Sequence, residues 1–178
     1  MISKKMEEAL NSQINAELYS AYLYFSMAAD FETKNLSGFA RWMYTQAQEE
    51  FGHATRFYNY INEQQGKAKL GAIEAPPTEW ASPLEVFEAA YKHEQHVTSL
   101  INNLVSLAME EKDYATNIFL QWFVTEQVEE EASASTIAEK VKMIGEHPQG
   151  LFMMDRELAQ RQPGILPQPG GESDPGAD

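Results

Sequence analysis

Six polar side chains stand where helical spacing calls for apolar ones, and they define the chemistry open to this chain. In the run Leu10, Ile14, Glu17, Ala21, Tyr24, Ala28, a carboxylate interrupts an apolar stripe of three- and four-residue steps. The run Met43, Gln46, Glu50, His53, Phe57, Tyr60 is interrupted by a carboxylate and an imidazole three residues apart, hence on one helical face. Glu94 stands alone among Phe87, Ala90, Val97, Ile101, Leu104 and Ala108. Gln127 and Glu130 break the run from Phe119 and Phe123 to Ala134, Ile137 and Val141. Carboxylate oxygens with one imidazole nitrogen form a ligand set suited to iron or manganese. Four carboxylates in one apolar layer cannot all be ionised without compensation, because burying an unpaired charge costs several kcal/mol. These stripes carry no lysine or arginine, so protons or bound cations must supply the positive charge, and a dinuclear metal centre would do so.

The elements that must position these groups are helices. Ser3 can cap a first helix to about Thr33, with apolar residues at Leu10, Ile14, Leu18, Ala21, Phe25 and Ala28. Ser37, behind Leu36 as a hydrophobic staple, can start a second helix that Gly66 stops in a left-handed conformation. Ser82-Pro83-Leu84-Glu85 is a capping box with proline at the first helical position, and opens a third helix to about Glu111. Asp113 can cap a fourth, uninterrupted by glycine or proline up to Gly145. A short amphipathic segment, Leu151 to Gln160, is expected to form a fifth helix, followed from Pro163 by a disordered acidic tail rich in Pro and Gly. The main helices should each be about 42 Å long, at 1.5 Å per residue. A connector of about sixteen residues between the second and third can span that length at ~3.3 Å per residue. The expected fold class is therefore all-α: two antiparallel hairpins joined by one long crossover, with a short fifth helix. The acids lie near mid-helix in each case, so Glu17, Glu50, His53, Glu94, Gln127 and Glu130 should converge on one layer of the bundle.

Composition limits the alternatives. A chain of 178 residues with 43% apolar content suffices for one compact domain, expected over 1–162 with the tail at 163–178. With 27 acidic and 13 basic residues the net charge is -14, which repels nucleic acid and anionic membranes and attracts cations. No cysteine is present, which excludes disulfides, iron–sulfur clusters and thiolate zinc sites. The first eleven residues lack the apolar core of a signal peptide, and no segment approaches the ~18 apolar residues of a membrane span. A cytoplasmic location is the expectation.

The segments INAELYSAYLYFSMA, QAQEEFGHA, YKHEQ and FLQWFVTEQVEEE make the chain, from Lys4 to Gln162, resemble the bacterial and archaeal non-haem ferritins. The resemblance implies a ferritin-like bundle and an iron-storage protein that oxidises Fe(II) to Fe(III) with oxygen or peroxide. It implies one iron site at Glu17, Glu50 and His53 and a second at Glu50, Glu94 and Glu130, bridged by Glu50. Gln127 would lie beside the pair, and Glu49, Glu126 and Glu129 would form a third iron site. Tyr24 and Trp122 would match aromatics that donate an electron during oxygen reduction. The subunits would assemble into a cage of twenty-four. Haem is not expected, since Phe51 stands where bacterioferritins place a haem-binding methionine. The last helix reads Gln127-Val128-Glu129-Glu130, so a histidine found there in bacterioferritins and rubrerythrin-like proteins is exchanged for glutamate. Two other readings of these residues stay open: a diiron peroxidase or oxygenase with an organic substrate, and a non-catalytic bundle whose carboxylates are protonated.

Overall fold

The computed structural model describes residues 2–145 and 147–162; the tail expected from Pro163 lies outside them. Five helices follow in order: α1 (Lys4–Thr33), α2 (Ser37–Glu63), α3 (Pro83–Glu110), α4 (Tyr114–Ile144) and α5 (Pro148–Leu158). None of them is long and apolar enough to cross a membrane. α1 packs against α2 and α3 against α4, α1 also meets α3, and α5 lies on α2 and α4.

Most of the boundaries follow from caps. Ser3 Oγ accepts from the Met6 N–H at 3.0 Å, Ser82 Oγ from Glu85 at 3.2 Å, and Asp113 Oδ1 from Thr116 at 3.0 Å. α4 ends where Gly145 takes φ 60°, a conformation that glycine adopts without a Cβ clash. Ser37 starts α2 as expected, and Asp155 Oδ1, brought in by α5, caps that end by accepting from Gly38 and Phe39 N–H at 2.7 and 3.1 Å. Three expectations are corrected. The left-handed residue after α2 is Gln65 (φ 61°), not Gly66, whose N–H donates back to Ile61 at 2.9 Å. α5 starts at Pro148 and ends at Leu158, earlier than expected at both ends, because proline fits the first helical turn. Phe25, counted in the apolar face of the first helix, is 53% exposed, with its ring 5.8 Å from Tyr44.

The crossover between α2 and α3 is extended and tied along α1. Asn11 donates to the Lys67 carbonyl at 3.0 Å, Asn15 to Ala72 at 3.0 Å, Ser26 to Pro77 at 2.6 Å and Lys34 to Trp80 at 2.6 Å. These contacts climb α1 from its first turns to its end, so the chain reaches the far end of the bundle before α3 begins.

Two apolar clusters fill the interior. One holds Tyr24, Met27, Phe31, Phe39, Trp42 and Phe87, joined by Met154 and Leu158 of α5. The other holds Leu10, Ile14, Phe57, Ile101, Leu120 and Phe123, with Phe57 and Phe123 stacked at 4.1 Å. Buried Glu17, Glu50, His53, Glu94, Gln127 and Glu130 belong to neither cluster, and in sequence they fall between the two on each helix.

Candidate metal centre

Glu17 from α1 and Glu50 and His53 from α2 come together, each offering one ligand atom, all within 4.8 Å of one another and buried. His53 Nδ1 is 3.3 Å from Glu50 Oε2. A second compact group, within the same 4.8 Å limit, joins His53 to Glu126 and Glu130 of α4. His53 is thus common to both groups, and Glu126, expected in a third site, reaches the central layer.

Glutamines hold the carboxylates from behind. Gln13 Nε2 donates to Glu17 Oε1 at 2.8 Å. Gln46 Nε2 donates to Glu50 Oε1 at 2.9 Å and to Glu130 Oε2 at 2.7 Å, linking α2 to α4. Gln127 Nε2 donates to Glu94 Oε2 at 3.1 Å, and the Tyr24 hydroxyl donates to Glu94 Oε1. Glu94 lies outside both compact groups but feels the charges of Glu50 and Glu130. Glu17 Oε2 is fully buried and no donor group reaches it; with its neighbour Glu50 it can share only a proton or a cation. Nearly all buried polar atoms in native proteins are paired, so an orphaned carboxylate oxygen beside a glutamate and a histidine marks a place for a cation.

The electrostatics agree with that placement. Burial and the neighbouring Glu50 charge raise Glu17 to about 8. Burial and Glu50 likewise raise Glu130 to about 7, and they lift Glu94 well above the usual carboxylate range. Burial also pushes Glu50 up, but His53 and the Gln46 amide outweigh it and hold Glu50 below its ordinary value. Burial alone would lower His53; the Glu50 carboxylate wins and raises it to about 10. Protons therefore share the neutralisation of this layer with His53, and divalent ions can take their place by displacing them.

The remaining expected residues are placed as follows. Glu49 is nearly buried and paired with Arg161; Glu129 is exposed, and its charge helps to raise the half-buried Glu126 after burial has done so first. Trp122 sits with its ring 5.4 Å from that of His53 and under the Arg56 guanidinium at 4.1 Å. His93, beside Glu94 on α3, has its Nε2 2.8 Å from Ser20 Oγ, and its ring meets the Tyr24 ring edge-on at 6.3 Å.

Comparison with known proteins fits this geometry. A profile for the ferritin-like domain of the Ferritin family matches residues 7–144. The chain belongs to the ferritin family. A bacterial non-heme ferritin from Bacteroides fragilis is 50% identical over 161 residues, covering 90% of this chain and all of the relative. One from Campylobacter jejuni is 42% identical over 158 residues, 89% of this chain and 95% of the relative. The crystal structure of an open-pore ferritin from the archaeon Archaeoglobus fulgidus superimposes with a TM-score of 0.90 at 56% identity, over 91% of this chain and 100% of that one. The ferritin bundle accounts for the two hairpins and the crossover, and iron is the metal that this family binds and stores.

Three contributors to the ferritin site went unassigned in the sequence. Gln13 and Gln46 each precede a candidate ligand by four residues, Glu17 and Glu50, and that repeated Gln-x-x-x-Glu spacing was a readable signal. Arg161 carried no such signal, because only the docking of α5 brings it to α2.

Proposed function

We propose that this ferritin oxidises ferrous iron at a dinuclear centre formed by Glu17, Glu50, His53, Glu94 and Glu130, and stores the ferric product within a homo-oligomeric cage. The observation that carries the reading is the unpartnered Glu17 Oε2 in a buried group with Glu50 and His53. Iron is the substrate. Each Fe(II) gives up one electron, and two such electrons with two protons reduce dioxygen to hydrogen peroxide, or peroxide to water. Hard carboxylate ligands favour the ferric product, which makes the oxidation downhill.

The chain's own residues bind, orient and exchange protons. Glu50, held below its ordinary value by His53 and Gln46, gives the first ion a charged partner. His53 must shed its second proton before either ring nitrogen can coordinate. Glu17 and Glu130 lose protons as ions replace them, and those protons are released beside the reduced oxygen. Gln46 spans Glu50 and Glu130 and keeps the two half-sites in register. Tyr24, donating to Glu94, orients that carboxylate toward the pair. Glu49, Glu126 and Glu129 would hold a third ion beside the pair, a reading supported by the approach of Glu126 to His53 and Glu130.

Assembly of copies is supported by aromatic side chains left outside on α1 and α2: Tyr22, Phe25, Tyr44, Phe51 and Tyr58 are each at least 46% exposed. A cage of twenty-four is the expected form. Anaerobic ferrous titration followed by stopped-flow mixing with oxygen tests the activity. Two Fe(II) per subunit should oxidise in a fast, saturable phase. Oxidation no faster than in protein-free buffer would refute it.

A further inference from the structure

A cation from the chain itself already stands against the acid expected to serve the third ion. Arg161 lies three residues past the end of α5 and 112 residues from Glu49. Its Nη2 donates to Glu49 Oε2 and, at 2.6 Å, to Gln46 Oε1, while its Nη1 lies 3.4 Å from the Trp42 carbonyl. The guanidinium stacks 4.1 Å from the centre of the Trp42 ring. Only 18% of the Arg161 side chain and 11% of the Glu49 side chain are exposed.

A docked helix delivers this group. Asp155 of α5 caps α2, and Met154 and Leu158 are buried in the core shared with Trp42. Two effects follow from the contacts. With Oε2 held by the guanidinium, Glu49 can turn mainly its other oxygen to a metal ion, and the adjacent positive charge opposes that ion. The Gln46 amide is oriented from both ends, its oxygen toward Arg161 and its nitrogen toward Glu50 and Glu130. A flipped amide would set oxygen against two carboxylates.

We propose that Arg161 is a positioning and selectivity residue of the iron site: it occupies Glu49 in place of a third ion, and through Gln46 it aligns Glu50 and Glu130 for the first two. This rests on the third-site reading of Glu49. A third ion has to displace or loosen the guanidinium, whose positive charge opposes it, so it binds after the pair and more weakly. Its binding also releases Gln46 and slackens the hold on Glu50 and Glu130; by linkage, the coupling is felt equally in both directions. Lysine could not do the same, because a single ammonium lacks the planar fork that reaches an amide and a carboxylate while lying on an indole.

The test is Zn²⁺ binding, free of redox chemistry, measured calorimetrically on the assembled protein and its R161Q, R161K and R156Q variants. Arg156 lies exposed on α5, so its loss removes the same charge without touching Glu49. In R161Q the third Zn²⁺ should bind about 10-fold more tightly while the first two bind no more tightly than in the parent protein. R161K should fall between, and R156Q should match the parent. A third affinity unchanged or weakened in R161Q overturns the proposal, as does an equal tightening of all three ions shared with R156Q. Two ions but never a third, in any of these proteins, removes the third site and this role together, and leaves the dinuclear centre standing.

Discussion

Asp155 Oδ1 accepts a hydrogen bond from the Gly38 N–H at 2.7 Å, and a Cβ on Gly38 would lie 1.7 Å from the Asp155 carbonyl oxygen. The start of α2 and the middle of α5 therefore touch backbone to backbone, and only glycine permits it. Gly→Ala in a helix ordinarily stabilises by about 1 kcal/mol. Here Gly38→Ala should destabilise by about 1–3 kcal/mol, because α5 must move away and uncap α2. Urea unfolding with hydrogen exchange over residues 148–158 checks this. Intact protection of α5 with unchanged stability would contradict it.

Glu50 and His53 should differ in how much of the centre depends on them. Glu50→Ala removes the carboxylate proposed to serve both half-sites, and the fast phase of iron oxidation should fall by more than the roughly 10–100-fold lost with an outer partner. His53→Ala should weaken the half-site at Glu17 more than that at Glu94 and Glu130. Zn²⁺ titrations and stopped-flow oxidation report the two effects. Parental rates in both variants would refute the assignment.

Removing the Tyr24 hydroxyl isolates one outer contact. Tyr24→Phe takes a donor from Glu94 and leaves the aromatic packing in place. Zn²⁺ affinity at the Glu94 half-site should drop by roughly 10-fold, the lower end for such a partner, with the Glu17 half-site unchanged. Equal loss at both half-sites would mean that Tyr24 acts on the fold and not on Glu94.

The metal-free protein should lose stability as pH rises. Glu17 titrates at about 8 in the folded chain against 4.5 ordinarily, and Glu130 at about 7, so the folded state holds extra protons across those intervals. His53, raised from 6.5 to about 10, has the same sign: its contribution is complete below 6.5 and is lost as pH climbs through 10. Glu50, held low, acts oppositely but only in acid, where its contribution is lost as pH falls. Stability of the chelated protein should therefore decline from about pH 5 to pH 9, by on the order of a few kcal/mol. Zn²⁺ should release protons on binding and flatten the decline. Urea midpoints across that range give the answer, and stability that is flat or rising without metal would be inconsistent with it.

Much of this was legible in the sequence because it is local. Ser3, Ser82 and Asp113 cap the helices they precede, and a carboxylate at Glu17, Glu50, Glu94 or Glu130 inside an apolar stripe has nowhere to point but inward. What escaped reading depends on distant chain segments. Asp155 caps a helix that begins more than a hundred residues earlier, and no local pattern around Ser37 points to it. Arg161 supplies positive charge to a layer whose own stripes contain none, and no periodicity connects it to Glu49. His93 lies off the apolar stripe that carries Glu94, yet it meets Tyr24 and feels the Glu50 charge because α1 packs against α3.

Anomalous diffraction at the iron edge, from crystals soaked anaerobically in ferrous iron, addresses the buried acids most directly. Two iron peaks should appear between the apolar clusters, one coordinated by Glu17, Glu50 and His53 and the other by Glu50, Glu94 and Glu130. A layer that stays free of iron at saturating ferrous concentration would mean that protons alone neutralise these carboxylates, and the oxidation chemistry assigned to them would be lost.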